Sequence, residues 1–268
     1  MAGLMHPRET VERLAAEWRK AGVEAGDVLL LHSGISRTLR RMREFGFENP
    51  DPALILDSFL AAIGDDGTLL LPLFNFDFTK GVPFDIRSTP SQMGALTEVG
   101  RLREGAVRTG HPIYSFAILG RRAEDFRGLV NLSGYGADSP FGKLHGLDGK
   151  IAVLDLPDQN SQTFYHYVEE SLSVPYRYRK SFTAAYLGED GHAGPRTFEL
   201  FVRDVENGVL THVDPMGELL WERGLYRGER PKQGAGLRTI SASAMYDMTA
   251  EVITSGRAKG LLYDIQNP

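Results

Sequence analysis

Four short runs dominated by apolar residues recur through the first 156 positions: DVLLLHS (Asp27–Ser33), TLLLPLF (Thr68–Phe74), IYSFAIL (Ile113–Leu119) and KIAVLDL (Lys150–Leu156). Runs of this kind, without polar alternation, suit strands covered on both faces. That requirement limits the available folds more than any other feature of the chain. Helical patterns fall between the runs. Val11, Leu14, Ala15 and Trp18 recur at helical spacing, and Gly22 can close that helix. Asp51 and Pro52 offer an N-cap and a first-turn proline ahead of Leu56, Phe59, Leu60 and Ile63, with Gly64 and Gly67 behind them. Thr89-Pro90-Ser91-Gln92 reads as a capping box opening a helix through Met93, Leu96 and Val99. This alternation predicts an α/β fold with a mostly parallel central sheet and helices on both faces.

The later part follows a different pattern. Phe182–Val205 resembles two alternating strands around a glycine-rich turn, hence an antiparallel elaboration in the C-terminal part. Leu219–Gly236, rich in Gly and Arg, reads as loops, and a final helix is expected over Ser243–Ser255. Without a repeat, a linker or a low-complexity tract, residues 1–268 are expected to form a single domain.

The formal charge of −5 argues against a general nucleic-acid partner, which would require a basic face. The absence of cysteine excludes disulfides, thiolate metal sites and a thiol nucleophile. No stretch approaches the roughly 20 apolar residues of a membrane span, and the charged N-terminus is unlike a signal peptide. A soluble, cytoplasmic protein is therefore expected, with homo-oligomerisation left open.

The segment that most suggests chemistry is TFYHYVEES, Thr163–Ser171. On a helix Thr163, His166 and Glu169 share a face, and Glu170 lies one turn beyond His166. A carboxylate beside an imidazole fixes its tautomer and raises its basicity, as a general base requires. The spacing leaves open which glutamate plays that part. H-x-x-E could also serve a metal, but HExxH is absent and a second cluster, such as His111, would have to come from afar. A serine hydrolase lacks its G-x-S-x-G elbow, and neither G-x-G-x-x-G nor a P-loop occurs. LHSGISRTLRR (Leu31–Arg41), a strand end followed by arginines, is a candidate anion-binding turn.

Several segments together resemble the aminoglycoside 3-N-acetyltransferase, or antibiotic N-acetyltransferase, family. They are LLLHSGIS (Leu29–Ser36), GTLLLPLFNF (Gly67–Phe76), TPSQMGALTEVGR (Thr89–Arg101), GAVRTGHPIYSFAILG (Gly105–Gly120), ADSPFGKLHGLDGKIAVLD (Ala137–Asp155) and TFYHYVEESLSVPYR (Thr163–Arg177). The resemblance implies transfer of an acetyl group from acetyl-coenzyme A to an amine of a sugar-like acceptor, with no metal. It makes His166 the base, supported by Glu169 and Thr163, with Glu170 as the fallback. It places His32, Ser33, Gly34 and Ile35 along acetyl-coenzyme A, together with Arg108, Thr109, His111, Pro112 and Ser115. Asn75, Asp77, Glu170 and Arg177 are the expected acceptor contacts. Gly34 and Pro72-Leu73-Phe74-Asn75 depart from the family pattern by removing hydroxyls.

Arg37, Arg40, Arg41, Lys80 and Arg87 follow the early strands, where α/β ligands usually bind. They suggest an anionic, nucleotide-linked amino sugar as acceptor rather than a polycationic aminoglycoside. A drug-modifying aminoglycoside 3-N-acetyltransferase is the alternative. A non-catalytic protein that binds coenzyme A or an amino sugar is the other.

Overall fold

The apolar runs form the middle of a sheet in the computed structural model, which describes residues 6–44, 46–47 and 50–266. Met1–Met5, part of the N-terminal reading above, lie outside the described residues. In chain order the first half comprises α1 (Pro7–Lys20), β1 (Val28–Ser33), α2 (Ser36–Glu44), α3 (Pro52–Ile63), β2 (Thr68–Pro72), β3 (Phe84–Asp85), α4 (Ala95–Arg101), β4 (Val107–Arg108) and β5 (Phe116–Gly120). The second half comprises α5 (Pro140–Gly146), β6 (Lys150–Leu154), α6 (Phe164–Ser171), β7 (Arg177–Leu187), β8 (Ala193–Arg203), β9 (Val209–Thr211), α7 (Asp214–Glu222), β10 (Arg227–Gly228), β11 (Leu237–Ser241), α8 (Ala242–Thr254) and β12 (Tyr263–Ile265).

The large sheet runs β10-β11-β6-β1-β2-β5-β4. The α/β class and the helices on both faces hold. Alternate residues of each strand feed two cores. Leu30, Leu70, Ile118 and Ile151 pack with Phe141, Phe164, Leu220 and Met245 of α5–α8. Leu29, Leu31, Leu69, Leu71 and Ala152 pack with Leu14, Trp18, Ile55 and Phe59 of α1 and α3. Trp18 stacks on Phe59 at 4.8 Å and donates to Ser58 Oγ at 2.7 Å. The sheet is mixed rather than mostly parallel. β1 runs parallel to β2 and β6, whereas β5, β4, β11 and β10 join antiparallel. Burial on both faces yields the same apolar run whichever way the neighbour points, so the runs carry no direction.

The antiparallel elaboration is β7–β8, paired from Arg177↔Arg203 to Leu187↔Ala193, with β3 alongside β7. Some boundaries moved. α4 begins at Ala95 rather than Pro90, because Thr89 Oγ1 accepts from the Asp85 amide and Ser91 Oγ from that of Met93. Those hydroxyls hold a loop instead of capping a helix. α7 occupies part of the stretch expected to be loops. No helix among the described residues is long and apolar enough to cross a membrane.

Because β1, β2 and β6 are parallel, their carboxyl ends emerge together. The segments that leave them converge there: His32 at the end of β1, Phe74 and Phe76 after β2, and Asp158–Thr163 between β6 and α6.

Candidate active site

Helix α6 carries His166 and Glu169 one turn apart, and the spacing brings them into contact. His166 Nδ1 lies 2.7 Å from Glu169 Oε2. The carboxylate can only accept at neutral pH, so Nδ1 carries the proton and Nε2 keeps the lone pair. His166 is 17% exposed and lines a cleft of about 200 Å³, whereas Glu169 is 1% exposed. Glu170 turns away from the imidazole. It accepts from Ser133 Oγ at 2.7 Å and pairs with Arg179 at 2.9 Å. Glu169 is thus the partner of His166, and Glu170 anchors α6 to β7 and the Ser133 loop.

Arg177, expected at the acceptor, sits behind the histidine instead. It is the first residue of β7, and the turn from α6 through Ser173, at φ 50°, swings it under Glu169. Its Nε lies 2.6 Å from Glu169 Oε2, and its Nη1 donates to the Phe201 carbonyl at 3.1 Å. Burial pushes the Glu169 carboxyl up, but Arg177 and His166 outweigh it and hold the group below the usual carboxylate range. Burial and then the Arg177 charge pull the His166 pKa below its usual 6.5, against the opposing effect of Glu169. A nearby carboxylate alone would have raised it. The result is a base that is neutral near pH 7, oriented from one side and open to the cleft on the other.

The cleft is walled by His32, Phe74, Phe76, Met93 and Tyr114 on one side and by residues 158–163, Thr211 and Val213 on the other. Thr163 lines it beside His166, while its carbonyl accepts the His166 amide at 3.0 Å. His32 is buried, and burial together with the Arg238 charge pulls its pKa down to about 3, so it is neutral. Its Nε2, Ser33 Oγ and Gln162 Oε1 are buried without a hydrogen-bond partner among the described residues. Gly34 follows β1 where an added Cβ would stand 3.0 Å from Leu156 Cδ2 and 3.3 Å from the Asp155 carbonyl. That crowding accounts for the lost hydroxyl at this position. Ile35 packs against the α1–α3 core.

The R-T-x-H-P-x-x-S residues do not reach this cleft. Arg108, Thr109, His111, Pro112 and Ser115 are all buried, and none of them is among its lining. Arg108 donates to the Ile86 and Thr89 carbonyls at 3.1 and 2.6 Å and to Ser115 Oγ at 3.2–3.3 Å. Burial lowers its pKa to about 10. Thr109 Oγ1 accepts the Phe116 amide, and His111 Nδ1 accepts those of Ile113 and Tyr114. These side chains hold the β4–β5 turn. Asn75 and Asp77 likewise serve a loop: Asn75 donates to the Pro90 carbonyl and accepts the Asp77 amide, and Asp77 pairs with Lys80 at 3.1 Å.

Sequence reasoning missed one buried network. Asp158 Oδ1 accepts from Arg238 Nη2 at 2.5 Å and Nε at 3.1 Å. Its Oδ2 accepts from Tyr226 at 2.9 Å and Tyr165 at 3.1 Å, and both charged side chains are 0% exposed. Arg238 interrupting LRTIS, an otherwise buried strand, was the available signal. The network ties β11 to the segment that leads into α6. Among the described residues, no three His, Asp or Glu side chains are gathered so as to hold a metal.

A cleft at the carboxyl ends of parallel strands, with an oriented neutral imidazole at its edge, suits general acid–base chemistry on an α/β frame. A family model described as aminoglycoside 3-N-acetyltransferase matches residues 40–254, and the chain belongs to that family. It is similar to aminoglycoside N(3)-acetyltransferase IV of Salmonella sp, 29% identical over 172 residues that cover 60% of this chain and 62% of the relative. Aminoglycoside N(3)-acetyltransferase VIII of Streptomyces fradiae is 26% identical over 186 residues, 61% of each chain. The matched region thus spans about three fifths of these relatives' length. Among solved structures, AAC-IIIb in binary complex with CoASH superposes with a TM-score of 0.77 at 22% identity, covering 99% of this chain and 100% of that one. AAC-VIa bound to sisomicin gives 0.74 at 21%, covering 96% and 100%. These likenesses show the fold.

Proposed function

We propose that the protein is an acetyl-coenzyme A-dependent N-acetyltransferase that acetylates an amine of an aminoglycoside-type amino sugar. The observation that carries this reading is the His166–Glu169–Arg177 chain opening onto the cleft, in a member of a family named for that reaction. A relative of the same fold was solved with CoASH and another with sisomicin, which supports both partners. The cleft suits a coenzyme carrying amides. His32 Nε2 and Gln162 Oε1, on residues that line the cleft, are buried polar atoms that a ligand's amide or carbonyl groups would satisfy.

Acetyl-coenzyme A supplies the thioester from which the acetyl group moves. The chain's own residues handle the proton. An amine is mostly ammonium near neutral pH and cannot attack until it loses a proton. His166 Nε2 accepts it, because Glu169 holds Nδ1 in the protonated tautomer and stabilises the imidazolium that forms. Arg177 keeps Glu169 ionised in its buried position.

The anionic acceptor suggested by the early basic residues finds little support. Arg37 donates to the Gly234 carbonyl, Arg41 pairs with Glu17, Lys80 with Asp77, and Arg87 donates to the Glu189 carbonyl. None of the four, nor Arg40, lines the His166 cleft. The test is thiol release from acetyl-coenzyme A with a panel of amino sugars and aminoglycosides, with mass spectrometry locating the acetyl group. N-acetylation supports the reading. Thiol release with none of the amines, or acetylation confined to hydroxyls, would sink it.

A further inference from the structure

The cleft's mouth carries an exposed aromatic ring on a stiff support. Phe76 is 37% exposed and lines the cleft. Its ring meets Tyr114 edge-on, with centroids 5.8 Å apart and planes at 87°. Its amide donates to Gln92 Oε1 at 3.0 Å, and Gln92 Nε2 donates to Asp77 Oδ2 at 3.0 Å. The flanking Asn75 is buried and bound at both ends of its amide. A large apolar ring held in place with part of its surface open to the cleft is a platform for a flat, partly apolar partner, and the C–H face of a pyranose is one.

The opposite wall is made of amides and hydroxyls: Gln159, Asn160, Gln162, Thr163 and Thr211. Among the lining residues the one carboxylate is Asp158, which is fully buried and committed to Arg238, Tyr165 and Tyr226. At the rim Asp77 is paired with Lys80. The described lining therefore offers hydrogen bonds to neutral hydroxyls and no carboxylate without a counter-charge. Each ammonium group carried into the cleft without a counter-charge would lose hydration unrepaid.

Building on the transferase reading, we propose that the preferred acceptor is an amino sugar of low positive charge. It presents one reacting amine with otherwise neutral polar groups, and its ring face lies against Phe76.

The experiment compares kcat/KM at low and physiological salt for methyl glycosides bearing a single amine and for kanamycin- and gentamicin-type polyamines. The expected result is a preference of about tenfold or more for a monoamine, corresponding to roughly one uncompensated charge. Phe76→Ala should raise the acceptor KM about three- to tenfold while the acetyl-coenzyme A KM stays put, and Phe76→Tyr should restore it. Phe76→Glu, at an exposed position that tolerates charge, should shift the preference toward the polyamines. A higher kcat/KM for the polyamines in the wild type would overturn the proposal while leaving the transferase reading intact. So would a Phe76→Ala effect confined to the acetyl-coenzyme A KM. Thiol release with none of the amines would overturn the transferase reading itself.

Discussion

Replacing Glu169 with Gln preserves the volume beside His166 and an oxygen able to accept from Nδ1, but removes the charge. A unit charge about 4 Å from the imidazolium is worth about 4 kcal/mol at an effective dielectric near 20, or about three pK units. Solvent at the cleft makes that an upper bound, and a further fall is expected in the pKa of His166, which burial and the Arg177 charge already lower. The active form is the neutral imidazole, so the rate rises with pH through this pKa and then levels off. In Glu169→Gln the rise should move to lower pH, and the plateau should drop by about ten- to a hundredfold because a weaker base removes the proton. Arg177 is left buried without its carboxylate, which should cost about 3–5 kcal/mol of stability. Adding Arg177→Met should recover much of that loss and return the pKa toward 6.5, since both charges are then gone. Thiol-release rates across about pH 5 to 9, with urea melts of the same proteins, measure both quantities. An inflection that stays put, or moves to higher pH with an unchanged plateau, would show that Glu169 does not govern the base.

Three further outcomes follow from the same contacts. His166→Ala should lower kcat by about 10²–10⁴-fold with acetyl-coenzyme A affinity nearly unchanged by calorimetry, and the base-dependent inflection should vanish. His32 and His111 have folded pKa values of about 3, below the roughly 6.5 of an unfolded chain, so the unfolded state takes up protons first as pH falls. Their contribution is complete above about pH 6.5 and declines toward pH 3 by about 1.4 kcal/mol per unit for each histidine. Denaturant melts of the wild type and His111→Asn, whose amide oxygen can replace Nδ1, should differ in that slope by one histidine's share. Asp158→Asn should cost about 3–5 kcal/mol by leaving Arg238 unpaired, and the double variant with Arg238→Met should recover part of it. Equal losses in the single and double variants would refute the pairing.

Local features were legible in the sequence where short-range geometry decides them. Asp51 Oδ1 caps α3 through the Ala53 amide, and Ser241, two residues before the expected start, caps α8. The His166–Glu169 contact is a one-turn relation that a helix imposes wherever it forms. The choice between Glu169 and Glu170 was not legible, because Ser133 and Arg179 claim Glu170 from other parts of the chain. Arg177 shows the limit clearly. Eight residues beyond Glu169, it meets that side chain only because Ser173 adopts a left-handed conformation that no glycine advertises. The R-T-x-H-P-x-x-S residues were assigned to a ligand, yet most of their hydrogen bonds run to backbone amides and carbonyls, with Arg108 also donating to Ser115 Oγ. A fixed polar motif serves a turn as readily as a cleft. The last turn of α7 was read as loop because Leu219–Gly236 is rich in Gly and Arg, and no side chain caps the start of that helix.

Arg177 and Glu169 together answer two demands that conflict at a buried base. The imidazole must present one defined nitrogen, which calls for an ionised acceptor at the other. A lone glutamate at 1% exposure would be pushed toward its neutral form and could no longer fix the tautomer. Ionised and facing only His166, it would hold a proton on the imidazole and leave little free base near pH 7. The guanidinium resolves both. It keeps Glu169 charged, and its own charge adds to burial, the larger cause, in holding His166 below its ordinary pKa. In the proposed transfer an acceptor ammonium would bring the proton to be removed, and such a site would work best with the base arriving empty. The turn between α6 and β7, which places Arg177 under Glu169, thus keeps the carboxylate ionised and adds to burial in lowering the His166 pKa.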